Sequence, residues 1–163
     1  MIKRLLIANR GEIAIRIIRA CREMGIVSIA IYSDSDRESL HAALADEAVA
    51  IGGMTGRESY LDIKKIIRVA KEVRAQAIHP GYGYLSENED FAKACAKAHI
   101  TFVGPPAEVI AHMGNKSMAR KLMMKADVPI IPGTVDDVRN VRTAQKLADT
   151  YGYPVIIKAP AGG

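Results

Sequence analysis

Apolar runs of strand length alternate with helix-spaced apolar residues through the N-terminal part of this chain, and that alternation constrains its fold more than any single motif. Residues 3 to 8 form a strand-length run. Over 12 to 24, Ile13, Ile17, Ala20 and Met24 then recur at helical spacing. Residues 27 to 32 predict a second strand, Ser33-Asp34-Ser35-Asp36 a turn, 39 to 45 a short helix and Ala48-Val49-Ala50-Ile51 a further strand. A Gly-rich loop, a helix over 61 to 74, a strand at 76 to 79, a helix over 88 to 98 and a strand at 100 to 103 complete the series. Strands separated by helices pair in parallel, because each connection is long enough to cross over. The expectation is an α/β, doubly wound parallel sheet with helices on both faces.

The pattern changes after Gly104-Pro105-Pro106. Helices are predicted near 107 to 113, over 116 to 126 and over 139 to 150, with a strand at 154 to 158. A boundary near 113 divides the chain into 1–113 and 114–163. The strand at 154 to 158 is too apolar to stay unpaired in water, so it is expected to pair with the first domain or another copy, or to be held by neighbouring molecules.

Composition narrows the function classes. The formal charge is +5, but 23 basic residues are interspersed with 18 acidic ones, and the chain has no Trp and only two Phe to stack on bases. Nucleic acid is therefore not the expected partner. No segment has the apolar length of a membrane span, and the N-terminal run closes too early at Asn9-Arg10-Gly11-Glu12 for a signal peptide. Cys21 and Cys95 lie on apolar stretches of predicted helices, which reads as buried free thiols in a reducing cytoplasm.

The first β-α turn, Ala8-Asn9-Arg10-Gly11-Glu12-Ile13-Ala14, has one glycine where a dinucleotide fingerprint needs three, which disfavours NAD or FAD. The second motif, His79-Pro80-Gly81-Tyr82-Gly83-Tyr84-Leu85-Ser86-Glu87-Asn88, begins at the carboxyl end of a predicted strand, where open α/β sheets bind ligands. Part of it is turn chemistry, and Ser86 with Glu89 has capping-box spacing. Two tyrosines and a histidine exceed what a turn requires, so a pocket wall is expected. On the first helix Glu12, Arg16, Arg19 and Glu23 share one stripe. A solvated face explains it. So does a two-fold contact, since the order minus, plus, plus, minus is self-complementary. Lys116 stands at a helix start after Gly114-Asn115, and Lys158 lies between an apolar strand and glycines. Each is either a solvated lysine or a point charge for a phosphate.

In order, Ile7-Ala8-Asn9-Arg10-Gly11-Glu12-Ile13-Ala14, residues 79 to 88, Gly114-Asn115-Lys116 and Tyr153-Pro154-Val155-Ile156-Ile157-Lys158-Ala159 resemble biotin carboxylase over essentially the whole chain. The resemblance implies a Rossmann-like pre-ATP-grasp domain followed by the start of an ATP-grasp domain. It also implies a ligase reaction in which MgATP and bicarbonate form carboxyphosphate, which carboxylates biotin on a carrier protein. By the same resemblance Lys116, Lys158, Gly162 and Gly163 bind ATP, Tyr82 and Gly83 lie near biotin, and Arg16, Arg19 and Glu23 form a homodimer contact. The implied partners are the biotin carboxyl carrier protein and a carboxyltransferase. Catalytic residues and magnesium ligands are expected downstream of Gly163, so the 163 residues alone are expected to be inactive. Asp127 stands where the family commonly has glycine, and the turn is expected to survive. The alternatives are a noncatalytic Rossmann-like dimer module and another ATP-grasp ligase.

Overall fold

The computed structural model describes residues 1 to 114, 116 to 134 and 138 to 157, with Lys116 described in its backbone only. Five strands, β1 (Arg4–Ile7), β2 (Val27–Tyr32), β3 (Glu47–Ala50), β4 (Ala77–His79) and β5 (Thr101–Phe102), form one sheet in the order β3-β2-β1-β4-β5. Every pairing is parallel, with Leu5 opposite Ser28 on one side and Ala77 on the other. The expected parallel sheet is present.

Side chains alternate across a strand, so β1 feeds two cores. Leu5 and Ile7 pack with Ala14, Ile17, Ile18 and Cys21 of α1 (Gly11–Glu23). Leu6 joins Ile66, Val69 and Ala70 of α3 (Ile63–Glu72) and Phe91 and Cys95 of α4 (Glu89–Lys97) on the opposite face. Helices thus cover both faces, with the short α2 (Leu40–Leu44) between β2 and β3. Both cysteines are buried and free.

Local chemistry sets the helix ends. The Asp62 carboxylate accepts the Lys65 N–H at 3.0 Å, which starts α3 two residues later than the periodicity predicts. Asn88, not Ser86, caps α4 by accepting the Phe91 N–H at 2.9 Å; the Ser86 N–H is turned back onto the Gly83 carbonyl instead. Four helices close alike, with a left-handed residue and a six-to-one backbone bond. In α1 these are Gly25 and Ile26 N–H to Cys21 O; in α3, Arg74 and Ala75 N–H to Ala70 O; in α4, His99 and Ile100 N–H to Cys95 O. In α6 (Lys116–Lys125) they are Asp127, at φ +52°, and Val128 N–H to Met123 O. Asp127 therefore keeps the turn that glycine would make.

The chain divides into two compact units, Met1–Ala111 and His112–Gly163. Beyond the sheet come α5 (Ala107–Gly114), α6 and α7 (Val141–Tyr151). The strand expected at 154 to 158 does not form over its described residues, 154 to 157, and Lys158 lies outside them. Ile156 and Ile157 are 83% and 86% exposed. A strand needs a neighbour with a free edge, and the described residues after Phe102 contain no other strand. Over its described part the segment does not form the expected strand. No helix among the described residues is long and apolar enough to cross a membrane.

Candidate functional site

The chain leaves β1 for a helix on one face and leaves its neighbour β4 for a helix on the other, so the ends of these two strands form a topological switch point. Residues 9 to 13 and 82 to 84 line an open cleft of about 360 Å³ there. Asn9 joins the two loops. It is buried, and its Nδ2 donates to Pro80 O at 2.7 Å and Tyr82 O at 2.8 Å while Oδ1 accepts the Arg10 N–H at 2.9 Å. Two carbonyl acceptors on one side and an N–H on the other fix which way the amide points. Gly81, at φ +65°, makes the approach possible, since a Cβ there would lie 2.8 Å from Asn9 Nδ2.

His79 braces this turn and is not part of the cleft wall, a correction to its expected place there. Its Nδ1 accepts the Gly81 N–H at 3.0 Å, which puts the ring proton on Nε2, and burial lowers its pKa. Tyr82 and Tyr84 do reach the cleft, both exposed. The Tyr82 hydroxyl donates to the Glu12 carboxylate, and that bond raises its pKa. Gly83 turns the loop between them at φ +66°.

Behind the cleft lies a buried polar cluster. Arg10 Nε donates to Asp36 Oδ2 at 2.6 Å and Nη2 donates to Asp36 Oδ1, a bidentate ion pair. The bonds from Arg10, followed by those from Tyr60 and Ser33, hold the Asp36 carboxyl far below the usual carboxylate range despite burial. Tyr60 OH donates to Asp36 Oδ2 at 2.7 Å and accepts the Ser33 N–H at 3.1 Å. Burial, then the Asp36 bond, pushes the Tyr60 hydroxyl up to about 12.

The two aromatic faces and the fixed polar groups suit binding. Buried Cys95, whose pKa burial pushes up to about 11, offers no thiolate. No group of three potential metal-ligating side chains occurs among the described residues. Of the expected site residues, Tyr82 and Gly83 meet in the cleft. Arg16, Arg19 and Glu23 lie exposed on α1 and join no ion pair among the described residues. The Lys116 backbone opens α6, and Lys158, Gly162 and Gly163 lie outside the described residues. Asn9, Arg10, Asp36 and Tyr60 were not singled out by sequence. The only signal at Asp36 was a turn-rich run, and nothing local linked it to Arg10.

Residues 1–110 match the family model described as "Biotin carboxylase, N-terminal domain". The chain belongs to this family. Residues 115–163 match the model described as "Carbamoyl-phosphate synthase L chain, ATP binding domain". The chain is 56% identical to Biotin carboxylase 1 of Bacillus subtilis over 163 residues, covering 100% of this chain and 36% of that protein. It resembles the crystal structure of a biotin carboxylase–β,γ-ATP complex from Campylobacter jejuni, with TM-score 0.92, 48% identity and coverage of 100% of this chain and 36% of that one. A dimer of the biotin carboxylase domain of Hydrogenobacter thermophilus 2-oxoglutarate carboxylase, bound to MgADP, ADP and bicarbonate, has TM-score 0.91, 47% identity and the same coverage. The chain therefore spans about a third of the length of these biotin carboxylase relatives.

Proposed function

We propose that this chain is the amino-terminal part of a biotin carboxylase, an ATP-dependent ligase that uses MgATP and bicarbonate to carboxylate biotin on a carrier protein. The observation that carries this is the family match over 1–110, at whose switch point the Tyr82–Gly83 loop is clamped to β1 by Asn9. Residues 1–113 form the Rossmann-like domain and 114–163 begin the ATP-grasp domain, in keeping with the second family match. Tyr82 and Gly83 face biotin. Lys116 and Lys158 bring charge to ATP phosphates, and the backbone at Gly162 and Gly163 lies against them. Magnesium and bicarbonate are held by residues outside those described. Arg16, Arg19 and Glu23 pair across a homodimer axis, as the H. thermophilus relative's dimer suggests. The partners are the biotin carboxyl carrier protein and a carboxyltransferase, and the setting is the cytoplasm.

The test is biotin-stimulated, bicarbonate-dependent ATP cleavage, assayed on the 163-residue chain and on the complete product of the reading frame that encodes it. Cleavage is expected in the complete product, and none in the 163 residues, which hold no described metal site. No biotin-stimulated cleavage by the complete product would leave the noncatalytic dimer module as the better account.

A further inference from the structure

The cleft has a second wall that the Tyr82–Gly83 loop does not supply. Arg10 and Tyr84 both line it, and both are held from behind by residues that never reach it. Asp36, 4% exposed, takes Nε and Nη2 of Arg10; Tyr60, 1% exposed, donates to the same carboxylate and packs against Tyr84 with the rings tilted by 35° and their centroids 5.3 Å apart. Tyr84 has φ +42°, a left-handed conformation that costs free energy unless its surroundings impose it. Gly56 also abuts that ring, since a Cβ there would stand 3.1 Å from Tyr84 Cε1.

The chemistry of Arg10 follows from this arrangement. A guanidinium carries N–H donors on Nε, Nη1 and Nη2. Asp36 takes Nε and one edge of Nη2, while Nη1 makes no hydrogen bond among the described residues and the side chain is 46% exposed. What remains toward solvent is a donor edge whose direction is fixed and whose charge is balanced by a buried carboxylate. Such an edge attracts an anion less strongly than an unpaired guanidinium would, and an uncharged acceptor gives up less hydration on entering. Biotin, the group proposed to face the Tyr82–Gly83 loop, carries a neutral ureido carbonyl.

Resting on the biotin assignment above, we propose that Asp36 and Tyr60 are positioning residues that hold Arg10 and Tyr84 as a fixed, charge-neutral wall for an uncharged carbonyl of the biotin group. Arg10 touches the ligand; Asp36 and Tyr60 act through it and through Tyr84.

The experiment measures KM for free biotin and for ATP in the complete product of the reading frame, for wild type and for Tyr60→Phe, Asp36→Asn and Arg10→Lys. Tyr60→Phe keeps the ring on Tyr84 and removes only the hydroxyl, so it preserves the fold best. It is expected to raise KM for biotin roughly tenfold while KM for ATP stays at the wild-type value. Arg10→Lys, which keeps the charge but not the fork, is expected to do the same. Asp36→Asn leaves the guanidinium charge unbalanced, so inorganic phosphate should compete with biotin more strongly in this variant than in wild type, and equal competition in the two would overturn the charge-neutral wall. An unchanged biotin KM in Tyr60→Phe and Arg10→Lys overturns the proposal, as does an equal rise in both KM values. Absence of biotin-stimulated cleavage in wild type overturns the biotin assignment itself and the proposal with it, and is told apart because it is seen before any substitution.

Discussion

Asn9 makes three hydrogen bonds that span two loops, and no other side chain at this position supplies two donors and one acceptor in that space. Asn9→Ala is expected to lower the unfolding free energy by about 2 kcal/mol in urea titration, because the Pro80 carbonyl is left buried without its partner. Asn9→Asp should cost more, since a carboxylate would face two carbonyl oxygens. A pH dependence follows from two histidines. Burial lowers the pKa of His41, whose Nε2 bonds Ile31 O and whose Nδ1 has no partner, and of His79, whose Nδ1 already accepts an N–H. Below the unfolded value of about 6.5 the unfolded chain binds protons that the native chain refuses, so stability falls as pH drops through that value toward the lowered native ones. Urea midpoints should decline from about pH 6.5 downward, and His41→Gln should flatten the decline; a flat wild-type profile to about pH 5 would refute it. Asp36 acts lower on the scale. Its depressed native pKa gives stability that is present above the unfolded carboxylate value and lost as pH falls through the native one. None of this was legible locally. Tyr60 bonds Asp36 across 24 positions and Arg10 reaches it across 26, pairings that exist only once β1 and β2 lie side by side.

At the scale of elements, the alternation of periods located every strand of the sheet and its helices within a few residues, because period and burial have a common cause in the parallel sheet. The misses fall where a cap or a partner decides. Ser86 has the right spacing to cap α4, yet Asn88 sits nearer the first turn and takes the Phe91 N–H. Residues 154 to 157 have strand composition but form no strand. The left-handed helix ends allow a test of the same kind. His99, exposed at φ +57°, has no side-chain bond among those described, so His99→Gly should stabilise the chain by about 1 kcal/mol, read as a higher thermal midpoint. No gain would show that the α4 turn carries no strain. On α1 Arg16, Arg19 and Glu23, the proposed dimer contact, are exposed, while Glu12 is engaged by Tyr82. Arg19→Glu should weaken self-association of the complete product roughly tenfold at low salt, and less at high salt, by sedimentation. Equal association of the two proteins at both salt levels would rule the stripe out as the contact.

For the molecule as a whole, both apolar cores draw only on residues 2 to 103. Residues 1–113 expressed alone should therefore fold cooperatively, with a single urea transition followed alike by helix content and tyrosine fluorescence. Residues 112–163 differ in kind. Among their described positions only Ala148 is a buried apolar residue, while Ile131, Val141, Ile156 and Ile157 are exposed. Burying apolar area is worth about 25 cal/mol per Å², and ordering each residue's backbone costs about 1–2 kcal/mol, so a segment with so little buried area has nothing to offset its own ordering. Alone it should show weak helix content and no cooperative transition. A sharp transition in 112–163 would mean that this unit carries a core of its own and is a self-sufficient fold. A broad one would place its stability in contacts outside this segment, in keeping with the exposure of Ile156 and Ile157.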